Sequence, residues 1–575
     1  MSGMDIDVEE DEWADLSIPE GHEASINEPL PSTDQTQNAS GGYVFRTVDI
    51  TRLRRFLCMG TEGGTYHVHT GEMVLTRENA NCIARLINRG EGSQVVATIK
   101  EFSLQNRACK ADPILFALAL CCRCSDLETK EAAYKALSDV CRIPTHLFQF
   151  IKFAQEVNPN GKGWGRAHRK GVSMWYENYG NKKGGNLLLA YHMTKYKARF
   201  GFTHRDVFRL CHIKTSYDAL GYLVYYFCHE NGQRESDWEM ALARKEEGLP
   251  HLELKKVAAL VKVFKDAKKC TNEETMKRMI LEHHLAREHV PTDLLKSRVV
   301  WEALMRHMPM TAMIRNLGKM SSLGLLESDS FGESLAEDKL KSRDLLKSAR
   351  IHPFTLLVAH KAYSKGQGEL GRLRWQVNPK ISDALEEAFY LSFDYVVTTG
   401  KRYLLAIDVS GSMNAPVMGT PIITARDAAA AMAMLTVRTE QRCDVVAFSG
   451  NQDGVTELSI SPQDDLDTVL ERISRLPFGS TDCAAPILDA IRSKKMYDVF
   501  VVYTDSETNV GSVHPSKALK NYRTVSGNAN ARLIVCGLAS NGFSIADPGD
   551  PLMMDIVGFD SSAPTAIHQF VKGNI

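Results

Sequence analysis

An all-α helical array followed by a doubly wound α/β domain is the architecture this sequence predicts, and three observations predict it. From about residue 76 to residue 393, apolar residues recur at helical spacing in one segment after another, and strand-like alternation is nearly absent. From Arg402 onward, short continuous apolar runs alternate with helical stretches, the mark of a parallel sheet covered on both faces. Pro144, Pro250, Pro291, Pro309 and Pro353 fall between the helical segments, where a missing N–H costs little.

In chain order, helices are predicted over 113–122, 127–141, 187–198, 206–213, 217–229, 252–264, 273–285 and 299–308. About 300 residues of paired antiparallel helices without a sheet suggest an α-solenoid of irregular repeats, which makes large surfaces suited to a long ligand. The second region opens on the apolar run YLLAI at 403–407. CDVVAF at 443–448, VFVVY at 499–503 and LIVC at 533–536 are further buried strands. Helical segments at 425–437, 466–473, 485–492 and 567–572 lie between or after them. Three segments result: 1–42, 43–400 and 401–575.

Composition sets the outer limits. The 575 residues are 44% apolar and 24% charged, as in globular proteins. The longest near-continuous apolar run, Pro113 to Cys122, is half the ~20 residues of a membrane-spanning helix. Met1 to Glu12 carries neither the basic nor the apolar region of a secretory signal, so no membrane association and no secretion are expected. The thirteen cysteines are odd in number and scattered, which fits reduced thiols in the cytosol or nucleus. Cys121, Cys122 and Cys124 lack the paired spacing of a zinc site and are expected in the core. Gly366 to Gly371 match G-x-G-x-x-G, but a helical run precedes them, and a joint is expected there. Glu282, His283, His284 and His289 are expected on one helix as surface or packing residues.

Charge is distributed unevenly. Residues 1–42 hold eleven acidic residues, three prolines and no Lys or Arg, and are expected to be a disordered tail. Residues 43–400 hold 54 basic against 40 acidic residues, and 401–575 hold 15 against 19. Between Lys152 and Lys214 there are thirteen Lys and Arg but only three acids, interleaved with Trp164, Trp175, Tyr176, Tyr191, Tyr196, Phe200 and four histidines. Cations neutralise phosphates and flat side chains stack on bases, so this segment is a candidate polyanion surface. Arg166, Arg169, Lys170, Lys197, Arg205 and Arg209 are its candidate contacts. The alternative is a solvated helical face with its aromatics in the core.

One motif is sharp. Asp408, Ser410 and Ser412 form D-x-S-x-S directly after the first strand of the second region. Thr481 precedes a helix, and Asp505 ends the VFVVY strand. Strand C-terminal ends border the ligand crevice of an open α/β sheet, and these donors are all oxygens, which suits a hard cation such as Mg2+. The alternative is that they are helix caps and turn formers. The combination resembles the metal-ion-dependent adhesion site of von Willebrand factor A domains. That resemblance implies Mg2+ held by Ser410, Ser412 and Thr481, with Asp408 and Asp505 close by or acting through water. No P-loop, H-E-x-x-H or G-x-S-x-G motif is present, and no enzyme activity is expected.

Longer stretches extend the resemblance. IHPFTLLVAHKAY and TGKRYLLAIDVSGSM, together with RLRRFLCMGTEGGTY (52–66), VCRIPTHLF (140–148), WGRAHRK (164–170), MIRNLGKM (313–320) and VCGLASNGFSIADP (535–548), are similar to the Ro family of RNA-binding ribonucleoproteins. In that family a TROVE helical module precedes a von Willebrand factor A domain. The resemblance implies a ring of HEAT-like repeats closed by the A domain. It implies Y RNAs on the outer surface, and the 3′ ends of misfolded small non-coding RNAs, such as defective 5S rRNA, in the central hole. Lys195, Arg199 and His212 fall on family positions linked to RNA contact, Lys195 and Arg199 as an i,i+4 pair on one helix face. The segment 178–183 is longer than the family norm. A monomeric protein within a ribonucleoprotein, cytoplasmic with a nuclear pool, is the implied setting. A protein ligand at the metal site is a further implied partner.

Overall fold

The computed structural model describes residues 35–37, 43–45, 48–63, 65–67, 75–158, 161, 163–180, 182–214, 216, 218–229, 235–243, 249–368, 372–448, 454–477, 481–505, 513–539, 545–547 and 549–575. Most of the acidic tail, Asn181 and residues 369–371 of the glycine motif lie outside them. Within the tail, Gln35–Gln37 pairs antiparallel with Tyr43–Phe45. The chain divides into two compact units, one of residues 75–351 and 362–388, the other of 1–74, 352–361 and 389–575.

Helix α1 (Asp49–Met59) and strand β1 (Thr65–His67) precede the helical unit in the chain but fold with the second unit. The helical unit contains α2 (Leu127–Val140), α3 (Arg166–Tyr179), α4 (Gly185–Lys195), α5 (His204–Cys211), α6 (Leu249–Lys269), α7 (Glu273–His283), α8 (Arg298–His307) and α9 (Met310–Ser322), among others. Helices pack on the next but one in sequence: Gly92–Leu104 on α2, α2 on α3, and α3 on α5. This is the stacking of helical repeats, in which each unit buries its apolar face on its neighbours. Side-chain caps set the starts. Asp126 accepts from the Thr129 N–H at 2.8 Å, and Thr203 and Asp206 form a capping box at α5. Gly171 lets α3 approach α2 closely, since a Cβ there would lie 2.3 Å from the Tyr134 ring.

The predicted helix over 187–198 stops at Lys195. A two-residue hairpin follows, Ala198–Arg199 against Phe202–Thr203. His289 is not on the helix with Glu282 and His283; α7 ends at His283, His284 is its left-handed cap (φ 50°), and His289 lies in a separate 3-10 turn. Burial pushes the Cys121 and Cys122 thiols up, as befits core residues.

The second unit is built on a seven-stranded, mostly parallel sheet. Its further strands are β2 (Arg402–Asp408), β3 (Arg442–Phe448), β4 (Val455–Glu457), β5 (Val499–Thr504), β6 (Arg532–Gly537) and β7 (Met553–Val557), in the order β4-β3-β2-β5-β6-β7-β1. Only β4 runs antiparallel to its neighbour. Helix α10 (Ala425–Thr439) links β2 to β3. The connection from β2 leads to one side of the sheet and that from β5 to the other, so the C-terminal ends of β2 and β5 flank the switch point where ligands bind in open α/β sheets. The sheet is completed from outside 401–575: β1 pairs parallel with β7, and the Tyr66 hydroxyl donates to Asp560 at 3.3 Å. Strand β7 carries the buried Asp555, whose carboxylate accepts the Ile545 and Ala546 N–H groups at 3.2 and 3.0 Å.

Candidate nucleic-acid interface and candidate metal centre

Lys195 is the last residue of α4, half-buried, with Nζ 5.2 Å from the Tyr196 ring centre. Lys197 and Arg199 follow, both exposed. Phe200 (φ 53°) and Gly201 (φ 82°) both adopt left-handed backbone at the hairpin tip, as a type I′ turn requires. The i,i+4 helical pairing of Lys195 with Arg199 is therefore replaced by a helix end and a strand. Arg199 directly precedes the exposed Phe200 in the chain, and its Nη1 donates to the Ala198 carbonyl at 3.0 Å.

Arg166, Arg169 and Lys170 are exposed on the first turns of α3. Cations at a helix N-terminus oppose the macrodipole, so stability does not account for them there. Helix α5, packed on α3, exposes Arg209, half-buries Arg205 and ends at His212, which is exposed in left-handed backbone (φ 51°). Three of the interleaved aromatics are not on this surface. Trp164, Trp175 and Tyr176 are buried, with Trp175 Nε1 donating to the Cys141 carbonyl at 2.6 Å; for them the packing alternative holds. Lys182, in the long 178–183 segment, folds back: Nζ donates to the Ser138 carbonyl at 3.0 Å and lies 4.5 Å from the Tyr179 ring centre.

Buried neutral histidines support this surface from beneath. His289 Nδ1 accepts from the Ala286 N–H at 3.0 Å, so its proton sits on Nε2, which donates to Thr194 Oγ1 at 3.1 Å. Burial, then Lys197, Lys195 and Lys268, lower its pKa to about 3. His204 is likewise buried and lowered to about 3, with Nε2 donating to the Tyr196 carbonyl (3.2 Å) and Nδ1 accepting from Tyr176 (3.0 Å). Lys268 is a cation that sequence reasoning missed. It lies on α6, where Lys255, Lys256, Lys262, Lys265 and Lys269 are also exposed. Burial and Lys268 together depress the Lys197 ammonium, so these like charges stand close.

At the switch point, Asp408 ends β2 and is fully buried. Its Oδ1 accepts the Ser410 N–H at 2.8 Å, and its Oδ2 accepts the Thr504 and Thr481 hydroxyls at 2.9 and 3.3 Å. Ser410 and Ser412 bring their hydroxyl oxygens to 2.9 Å of each other. Burial holds the Asp408 carboxyl above the usual carboxylate range, and the nearby Asp505 adds to the rise. A desolvated carboxylate with hydroxyls on both flanks is an oxygen-only donor set that fits a hard cation. The sequence reading missed Thr504, which the β2–β5 register sets beside Asp408. Among the described residues, no group of three or more His, Cys, Asp or Glu side chains converges in the manner of a metal cluster.

Comparison with known proteins decides the family. A TROVE domain model matches residues 36–365, and a Ro60 vWA domain model matches residues 402–571. The chain is 36% identical to the RNA-binding protein RO60 of Caenorhabditis elegans, over 94% of this chain and 90% of that one. The chain belongs to the Ro60 family. A second Ro60 relative, the RNA-binding protein RO60 of Deinococcus radiodurans, is also 36% identical, over 94% of this chain and 96% of its own length. The crystal structure of the Deinococcus radiodurans RO (RSR) protein superposes with a TM-score of 0.79 at 34% identity, covering 92% of this chain and all of that one. The basic residues from Arg166 to His212 fall within the TROVE match, and Asp408 to Asp505 within the Ro60 vWA match. Among the described residues, no helix is long and apolar enough to cross a membrane.

Proposed function

We propose that this chain binds RNA without catalysis. In this reading it takes Y RNAs and the 3′ ends of misfolded small non-coding RNAs, and acts in small-RNA quality control within a cytoplasmic ribonucleoprotein that has a nuclear pool. RNA lies along the cations of the helical unit. The observation that carries the reading is the half-buried Lys195 with the exposed Lys197 and Arg199, continued by the exposed Lys268, around a hairpin whose tip shows Phe200 to solvent. Like charges gathered this closely are relieved by a polyanion, and an exposed ring offers a base a stacking face. Membership of a family whose relatives are named RNA-binding proteins supports the same reading. Measuring RNA affinity across a salt series tests it: binding by phosphate neutralisation weakens steeply with salt. Affinity indifferent to salt contradicts it.

The geometry at Asp408 favours a second activity of the same chain, Mg2+-dependent capture of a protein partner. Ser410, Ser412 and Thr481 would hold the ion, with Asp408 and Asp505 balancing its charge. The bound ion would supply an open position for a partner's carboxylate. Pull-downs with and without a chelator test this; partner capture indifferent to chelation counts against it.

A further inference from the structure

The helical unit contains a cavity of about 730 Å3 bounded by α4, α6, α8, α9 and the turn after α7. That volume lies within the range of small-molecule and nucleotide sites. Its walls are apolar where Leu187 and Leu188 of α4 face Leu304 of α8 and Ala312 of α9. Flat groups line it as well. Tyr191 lines it, with the His289 ring edge-on behind at 5.2 Å, and the lining rings of His284 and His307 meet edge to face at 4.2 Å. Its charged lining is mostly cationic, with Lys195 and Arg287 against the single carboxylate of Glu288. Lys195 is also one of the three ammonium groups, with Lys197 and Lys268, that depress the pKa of His289.

Apolar walls, ring faces and adjoining cations are the complement of a heterocycle carried on a phosphate chain. A free phosphate would leave the apolar walls unfilled, and an aliphatic side chain would leave the ammonium groups unpaired. The geometry points to this cavity as the seat of one unstacked base of a single-stranded RNA, its flanking phosphates held by Lys195 and Lys197. The inference rests on the RNA-binding reading above and adds a subsite to it. Recognition is by insertion and stacking, so it selects unpaired RNA over a duplex, whose bases are already stacked.

The test uses the full chain, a short fluorescent oligoadenylate, and the same oligomer with one abasic ribose moved through each position. One position is expected at which losing the base weakens binding roughly tenfold. In Ala312→Trp, which fills the cavity, that penalty disappears because the intact oligomer binds as weakly as the abasic one. The milder Ala312→Leu shrinks it. The ratio of the two affinities does not depend on the folded fraction, so a partly misfolded variant does not imitate the effect. Uniform tolerance of abasic positions overturns the inference, as does a penalty that persists in Ala312→Trp. If the wild-type chain binds with steep salt dependence yet tolerates every abasic position, the cavity assignment alone fails. If it binds neither oligomer, the RNA-binding reading fails and the cavity assignment fails with it.

Discussion

The guanidinium of Arg55 donates to the main-chain carbonyl of Pro551 at 2.7 Å, joining residues 496 positions apart. Arg55 is buried, and its pKa falls to about 10 through desolvation, which the neighbouring Asp550 partly offsets. Asp550 also takes Nη1 of the buried Arg523 at 2.5 Å. One carboxylate thus serves two buried guanidinium groups and secures α1 to the sheet unit. Asp550→Asn removes the carboxylate charge that faces both guanidinium groups and is expected to cost about 3–5 kcal/mol in a urea unfolding titration. A loss within experimental error would show that water reaches this site.

His289 and His204 make stability depend on pH. Each has a folded pKa of about 3, lowered first by burial. The unfolded chain takes up these protons near pH 6.5. Their contribution is therefore complete above about pH 6.5 and is lost as pH falls toward 3, reaching ~2 kcal/mol for each near pH 5. Urea titrations across this window should show the loss, and His289→Gln should flatten the curve. An unchanged slope in that variant would mean His289 is protonated in the folded chain.

The hairpin that carries Arg199 depends on Gly201, whose φ of 82° a β-branched side chain resists. Gly201→Val is expected to cost about 1–2 kcal/mol and to weaken RNA binding by displacing Arg199. Gly201→Asn tolerates left-handed backbone and should keep most of both. Equal RNA affinity in the two variants would separate the hairpin from binding.

Much of the architecture could be read from residue patterns, because both periodicities are strong over long stretches. The helical run and the strands at YLLAI, CDVVAF, VFVVY and LIVC needed only local information. Strand β1 did not announce itself: Thr65–His67 is three residues long and gains its identity from pairing with β7, almost 500 residues away. The end of α4 was hidden for a similar reason, since Tyr196 to Ala198 are compatible with helix and only the left-handed turn at Phe200 and Gly201 redirects the chain. Asp408, Ser410 and Ser412 were legible because they share one local motif at the end of a strand. Thr504 was not, because its role arises from register against β2. Lys268 escaped notice because Glu253 and Asp266 on the same helix dilute its charge in sequence, whereas in space it adjoins Lys197.

For the proposed metal centre, Asp408→Ala should abolish Mg2+ uptake in a calorimetric titration while leaving RNA affinity unchanged. Thr504→Val should weaken Mg2+ binding by removing a hydroxyl that holds Asp408 in place. Mg2+ uptake that survives in Asp408→Ala would move the ion elsewhere.

The most direct test of the RNA-binding account is the slope of log affinity against log salt for single-stranded RNA, in the wild type and in Lys195→Ala/Arg199→Ala. The expected result is a steep wild-type slope that becomes shallower by about 0.7 for each phosphate no longer neutralised, or about 1.4 for the pair. A double variant with the wild-type slope and wild-type affinity would contradict the placement of RNA on this surface.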